Sequence, residues 1–189
     1  MAGIYVHIPF CAQACHYCDF HFSTSLKYKQ RIINAIKKEL VMRKHYLKSK
    51  LIQTIYFGGG TPSAIDSISL SYLLETIHNN YKLMPNIEIT IEANPEDINQ
   101  EQILSWSTMG FNRVSIGVQS FRDRDLKYMN RIHNSKQAKN ALRLLKESSI
   151  NNLNVDLIYG YPELDNSAWK KNLDEVISLK IPHISCYCM

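Results

Sequence analysis

Three of the chain's five cysteines fall in one short loop, Cys11-Ala-Gln-Ala-Cys15-His-Tyr-Cys18. The C-x₃-C-x₂-C spacing can wrap three thiolates around one corner of a cubane iron–sulfur cluster. It supplies no fourth cysteine, so one iron would be left open to another ligand. A structural zinc site is the competing reading, but it wants four protein ligands, and the fourth would have to be His16, His21 or a distant residue. A ferredoxin-type electron-transfer site would also want four cysteines. A disulfide framework conflicts with a reducing compartment, where thiols stay free.

Other residues able to do chemistry are scattered along the chain. Gly58-Gly59-Gly60-Thr61-Pro62 would let the backbone approach a ligand closely and expose N–H groups to it, although such a run is also an ordinary turn. Glu92 could accept hydrogen bonds from a ribose or an ammonium group, or be an exposed carboxylate in a local salt bridge. Gln119, Arg131 and Asp156 are equally ambiguous one by one, and Arg131 reads also as a surface residue. Cys186 and Cys188, two apart on a strand, would share one face; buried thiols in a sheet are the expected reading, with a role toward a ligand as the alternative. His7 is expected to pack or hydrogen-bond near the cysteine loop, and no histidine spacing selects one as a ligand.

The elements that must position these groups follow from periodicity. Short β-branched apolar runs recur near Ile4–Ile8, Thr54–Phe57, Glu88–Glu92, Arg113–Val118, Asn154–Ile158 and His183–Tyr187. Segments of helical period separate them, near Leu26–Leu47, Ser69–Tyr81, Gln100–Met109, Ser135–Glu147 and Ser167–Ser178, with Asn99, Asn134 and Asn166 as cap or turn residues. This alternation predicts βα units around a parallel sheet, an α/β fold. In a βα barrel the loops leaving the carboxyl ends of the strands build the site. The cysteine loop, the glycine run, Glu92-Ala-Asn-Pro, Gly117-Val-Gln-Ser and Asp156 with Tyr159-Gly-Tyr-Pro all fall at such ends.

With 189 residues, 45% hydrophobic and 21% charged, the chain suits one core and one domain. No run approaches the roughly 20 apolar residues of a membrane span, and Met1 to Phe10 lacks the pattern of a signal peptide, so a cytoplasmic location is expected. The net charge of +5 could suggest a nucleic-acid partner. The lysines of Lys27 to Lys50, however, sit among Glu39 and apolar residues at helical spacing, as on a solvated face, and no nucleic acid is expected. The chain ends just after an apolar strand without a closing helix, which reads as truncation.

The cysteine loop, preceded by Tyr5-Val-His-Ile-Pro-Phe and followed by Asp19-Phe20, resembles the radical S-adenosylmethionine (SAM) superfamily. The resemblance implies that Cys11, Cys15 and Cys18 hold a [4Fe–4S] cluster whose open iron binds the amino and carboxylate groups of SAM, and that an electron from the cluster cleaves SAM to methionine and a 5′-deoxyadenosyl radical. It also implies a partial (β/α)6 barrel of parallel strands over residues 1–189, incomplete after the sixth strand and lacking the family's carboxyl-terminal part. Within the superfamily, Phe57-Gly-Gly-Gly-Thr-Pro-Ser, Glu92-Ala-Asn-Pro-Glu, Ser115-Ile-Gly-Val-Gln-Ser-Phe and Val155-Asp-Leu-Ile-Tyr-Gly-Tyr-Pro resemble the oxygen-independent coproporphyrinogen III oxidase family. By that match Tyr5, Tyr17, Gly59, Gly60, Thr61, Glu92, Gln119, Arg131 and Asp156 stand where family members contact SAM, some of them a second SAM molecule.

The oxidases carry a further cysteine two positions after the third ligand, where the related haem chaperones have Asp-Phe, and this chain has Asp19-Phe20. The resemblance therefore favours a haem chaperone that binds haem and passes it to haem-requiring client proteins, membrane-bound respiratory enzymes being candidates, with an electron donor serving the cluster. The oxidase itself, which decarboxylates two propionates by hydrogen abstraction, is the enzymatic alternative. A radical SAM tRNA-modifying enzyme is a third, supported only by basic charge.

Overall fold

The computed structural model describes residues 2–47, 51–150 and 152–189. Six parallel strands form one sheet in chain order: β1 (Gly3–Ile8), β2 (Leu51–Gly59), β3 (Lys82–Ala93), β4 (Arg113–Gln119), β5 (Asn152–Tyr159) and β6 (His183–Cys188). Between them run α1 (Lys29–Met42), α2 (Ser67–Asn80), α3 (Gln100–Met109), α4 (Asp123–Tyr128), α5 (Ser135–Lys146) and α6 (Asn166–Ser178). The βα alternation read from the sequence is present, and the linear strand order leaves β1 and β6 as the two edges.

Along each strand the residue type alternates. Val6, Ile8, Ile55, Phe57, Ile89, Ile91, Val114, Ile116, Val155 and Leu157 are buried in one cluster with Leu70, Leu73 and Ile77 of α2, Trp106 of α3, Leu142 and Leu145 of α5 and Val176 of α6. The intervening positions, pointing to the opposite face, carry Tyr5, His7, Tyr56, Glu92, Ser115, Asn154, Asp156 and Ser185. The register lines these up across the sheet, with Tyr5 beside Tyr56, Glu92 beside Ser115, Gly117 beside Asp156 and Asp156 beside Ser185. Parallel strands covered on both faces read as continuous apolar runs. Here one face is polar, because it lines a cavity.

Several boundaries differ from the sequence expectation. β3 begins at Lys82, six residues early, where Lys82 and Leu83 pair with Leu51 and Ile52 before a register shift; Asn86, at φ 58°, falls in the irregular stretch. Asn99 and Asn134 cap α3 and α5, and Asn134 with Gln137 forms a capping box. Asn166 does not cap α6: it is the first helical residue, and Asp165 accepts from the Ala168 N–H instead. α4, a six-residue helix, has no counterpart in the periodicity. Cys186 and Cys188 are exposed rather than buried, because β6 is an edge strand with a paired neighbour only in β5.

On α1, Ile33 and Leu40 are buried while Lys38 is exposed, as are Lys27 and Lys44 on either side of the helix, in keeping with a solvated basic face; Lys48 and Lys50 lie outside the described residues. Among the described residues, no helix is long and apolar enough to cross a membrane.

Candidate functional site

The cysteine loop leaves β1 and is fixed at two ends. On the near side the Cys11 N–H bonds to the Ser23 carbonyl at 3.1 Å, and the Gly60 and Thr61 N–H groups reach the carbonyls of Ile8 and Phe10 at 2.8 and 2.6 Å. On the far side it caps α4. The last carbonyls of a helix have no partner within it; here Tyr128 accepts from His16 Nδ1 at 2.8 Å, Met129 from the His16 N–H at 3.2 Å and Asn130 from Gln13 Nε2 at 2.7 Å. Asn130, at φ 58°, takes the left-handed turn that ends the helix and returns a hydrogen bond from Nδ2 to the Ala14 carbonyl. That turn delivers Arg131.

Arg131 turns inward and is only partly exposed, against the surface reading. Its Nη2 donates to Asn94 Oδ1 at 2.6 Å and the Gly117 carbonyl at 3.0 Å; its Nη1 donates to Tyr17 Oη at 3.2 Å and lies 3.4 Å from Cys15 Sγ. Among the described residues its Nε is buried without a partner. Burial opposes the charge, yet Tyr17, Cys15 and Glu96 around it hold its pKa above the ordinary value. The same surroundings, burial foremost, push the Tyr17 hydroxyl well above its usual range.

Glu92 is not an exposed carboxylate. It accepts from Tyr56 Oη at 2.8 Å and from the Gly59 N–H at 3.0 Å, and burial raises its pKa against those two bonds. Asp156 accepts from Ser115 Oγ at 3.2 Å and Asn154 Nδ2 at 2.8 Å and is likewise raised by burial. Gly59 has φ 114°, and a side chain there would also run into the His7 ring, so glycine is required. His7 bonds to the Tyr5 hydroxyl and to the His21 carbonyl beside the cysteine loop.

These groups enclose a cavity of about 460 Å³. Of the residues expected from the sequence, Cys11, Cys15, Cys18, Tyr17, Gly59, Gly60, Thr61, Glu92, Gln119, Arg131 and Asp156 all line it. Tyr5 stands outside the lining, 58% exposed and stacked on Tyr56. Sequence reasoning passed over Tyr56, Ser115 and Asn94 as site residues; Tyr56 was visible only as a polar position in an otherwise apolar strand, and Ser115 and Asn94 only as parts of motifs.

The three thiols suit a cluster. Cys11 is raised in pKa by burial and by the neighbouring Cys18 and Cys15, an arrangement that a bound metal reverses, since a coordinating thiol is deprotonated outright. Thr61 Oγ1 lies 3.5 Å from Cys11 Sγ, and a Cβ on Gly60 would come within 3.0 Å of that sulfur. A single zinc ion fits less well. His16 is turned to the Tyr128 carbonyl, and among the described residues no group of three or more His, Cys, Asp or Glu side chains is placed to hold one metal ion. Thiols that each ligate a separate iron need not converge on one centre.

Comparison with known proteins gives the same grouping. The chain is 36% identical over 191 residues to the heme chaperone HemW of Haemophilus influenzae, covering 98% of this chain and 50% of that protein. It is 30% identical over 191 residues to the heme chaperone HemW of Bacillus subtilis, covering 100% of this chain and 50% of that one. It thus spans about half the length of the curated relatives it matches. Among solved structures, the coproporphyrinogen III oxidase HemN of Escherichia coli, described as a radical SAM enzyme, superposes with a TM-score of 0.90 at 28% identity, over 99% of this chain and 44% of that one. The archaeal Elp3 of Methanocaldococcus infernus shares the fold, with a TM-score of 0.70 at 18% identity over 100% of this chain and 45% of that one. The superfamily implies a [4Fe–4S] cluster and SAM, and the cavity offers thiols, a glycine cradle and buried polar groups for both. With the Radical SAM superfamily pattern matching residues 5–176, the chain belongs to the radical SAM superfamily.

Proposed function

We propose that residues 1–189 form the radical SAM core of a haem chaperone, which binds haem and hands it to haem-requiring client proteins in the cytoplasm or at the membrane, with an electron donor serving its cluster. In this reading Cys11, Cys15 and Cys18 hold the cluster. Gly59, Gly60 and Thr61 present backbone and hydroxyl groups to the amino-acid end of SAM, while Glu92, Gln119, Arg131 and Asp156, with Tyr17 and Tyr5 at the margin, orient the rest. The cluster, when bound, supplies the electron for reductive cleavage of SAM. Arg131 places a fixed positive charge 3.4 Å from Cys15 Sγ, where it offsets thiolate charge.

The observation that carries the chaperone reading is Phe20, which occupies the position where the oxidases have an additional cysteine. Its ring is 70% exposed on the cysteine loop and, with Phe22, Ile132 and Tyr187, gives the cavity an apolar mouth suited to a flat tetrapyrrole. The test is anaerobic reconstitution of the full-length protein, with iron and sulfide analysis, followed by haem titration and a coproporphyrinogen turnover assay in parallel with the Escherichia coli oxidase. Stoichiometric haem binding without turnover is expected. Turnover would reverse the preference toward the oxidase, and a Cys11→Ala, Cys15→Ala, Cys18→Ala chain that retained its iron would overturn the cluster assignment.

A further inference from the structure

Gln119 ends β4 with φ 67°, a conformation unfavourable for a residue with a side chain, which persists only where its surroundings impose it. The Ser120 N–H bonds to the Val118 carbonyl at 2.8 Å, so residues 118–120 close a three-residue turn, and the β4–β5 register shifts at the same place. The turn aims Gln119 into the cavity and leaves the Gly117 carbonyl for Arg131.

The surroundings that impose it centre on a buried histidine. His133, with a fully buried side chain, places Nε2 3.1 Å from the same Val118 carbonyl and Nδ1 3.1 Å from Glu96 Oε2. Glu96 belongs to the short 3-10 turn that follows β3, and Asn94, the Arg131 partner, immediately precedes that turn. His133 and Arg131, two residues apart in one loop, thus bridge the same pair of walls, the β3 turn and the end of β4. A carbonyl and a carboxylate can only accept, so both imidazole nitrogens are satisfied only when both carry a proton. Burial works against the Glu96 charge, but the bond to His133 and the nearby Arg131 hold its pKa below the usual value, so the carboxylate is the form present. The other charged group facing the ring is Asp123, at the start of α4, whose carboxylate takes the Ser135 N–H at 2.7 Å.

We infer that His133 and Glu96 form a buried imidazolium–carboxylate clamp that holds the strained turn at Gln119, and through it positions Gln119 and Arg131 for SAM. His133 is a positioning residue, since it touches neither the cavity nor the cysteines. The inference rests on the reading of the cavity as the SAM site, and its test separates the two.

The experiment compares the parent chain with His133→Ala and His133→Gln, the latter keeping one donor. After anaerobic reconstitution, iron and sulfide content is measured first, then SAM affinity from the change that SAM makes in the electron paramagnetic resonance spectrum of the reduced cluster. The expected result is cluster content equal to the parent with SAM bound about tenfold more weakly in His133→Ala and an intermediate loss in His133→Gln. Equal SAM affinity in all three overturns the clamp, as does a parallel loss of cluster and SAM, which would mark a merely structural role. A parent spectrum indifferent to SAM would instead sink the site reading. In that case the clamp is still decided by nitrogen-15 spectra of the cluster-free parent at neutral pH: two protonated ring nitrogens on His133 support it, one overturns it.

Discussion

The two faces of the sheet share every backbone atom and differ in almost everything else. On the helix side, Ile55, Phe57, Ile91, Val114, Ile116, Val155 and Leu157 are buried against apolar neighbours. On the cavity side, one residue away each time, Tyr56, Glu92, Ser115, Asn154 and Asp156 hold one another by hydrogen bonds. The helix side provides the hydrophobic stabilisation, while the cavity side keeps carboxylates in surroundings that oppose their ionisation. Stability and chemistry are thus assigned by strand parity, and substitutions on one face should leave the property of the other largely intact.

The largest expected break is on the helix side. Phe57→Ala removes a ring packed edge-on against Phe111 at 5.4 Å and should cost about 3–5 kcal/mol in denaturant unfolding. Cavity functions should then fall only as far as the folded fraction does. Gly60→Ala sits at the boundary between the faces: a Cβ there would lie 2.6 Å from the Phe10 carbonyl and 3.0 Å from Cys11 Sγ. It should cost about 1–3 kcal/mol and, measured as iron per chain, lower cluster uptake more than stability explains.

A smaller effect is expected at Asp66, which caps α2 through the Ser69 N–H at 2.8 Å and pairs with Lys29 at 2.7 Å. Asp66→Ala should lose about 1 kcal/mol through the missing cap. The Lys29 bond first, and the Ser69 bonds with it, hold Asp66 down to about 2. Its contribution is therefore complete above the ordinary carboxylate value, about 3.9, and lost as pH falls toward 2. The gap between parent and variant in urea unfolding should narrow over that window.

The smallest change in stability, with an opposite sign, sharpens the comparison. Glu92 and Asp156 are raised, chiefly by burial, so what they contribute is complete below the ordinary carboxylate range and is lost as pH rises through their elevated values. At neutral pH Glu92→Gln and Asp156→Asn should unfold no more easily than the parent, or slightly less easily. The same variants should bind SAM more weakly in calorimetry on reconstituted protein. Lost stability at neutral pH with unchanged SAM affinity would break the division between the faces.

Much of this division was legible in the sequence, because alternation and the clustering of odd residues at strand ends are local patterns. The cysteine loop, the glycine run, Glu92 and Asp156 were found that way. What escaped depends on distant partners or on short elements. α4 is too brief to show a helical period, and without it no local pattern indicated that Arg131 would turn inward rather than to solvent; only the family resemblance placed it at the site. His133 looked like any loop histidine, since Glu96 and Val118 lie 37 and 15 residues away. Cys186 and Cys188 read as buried because their strand is apolar, but an edge strand leaves them exposed.

The anchoring of the cysteine loop on the end of α4 sets an order of events at birth. The thiols are made first, while the arginine beside Cys15 lies 116 residues downstream. At about 5–20 residues per second, the ribosome takes roughly 6–23 s to supply it. During that interval the nascent chain carries three reactive sulfurs without their brace, so metal loading that needs the finished pocket must follow translation of the helix rather than of the cysteines.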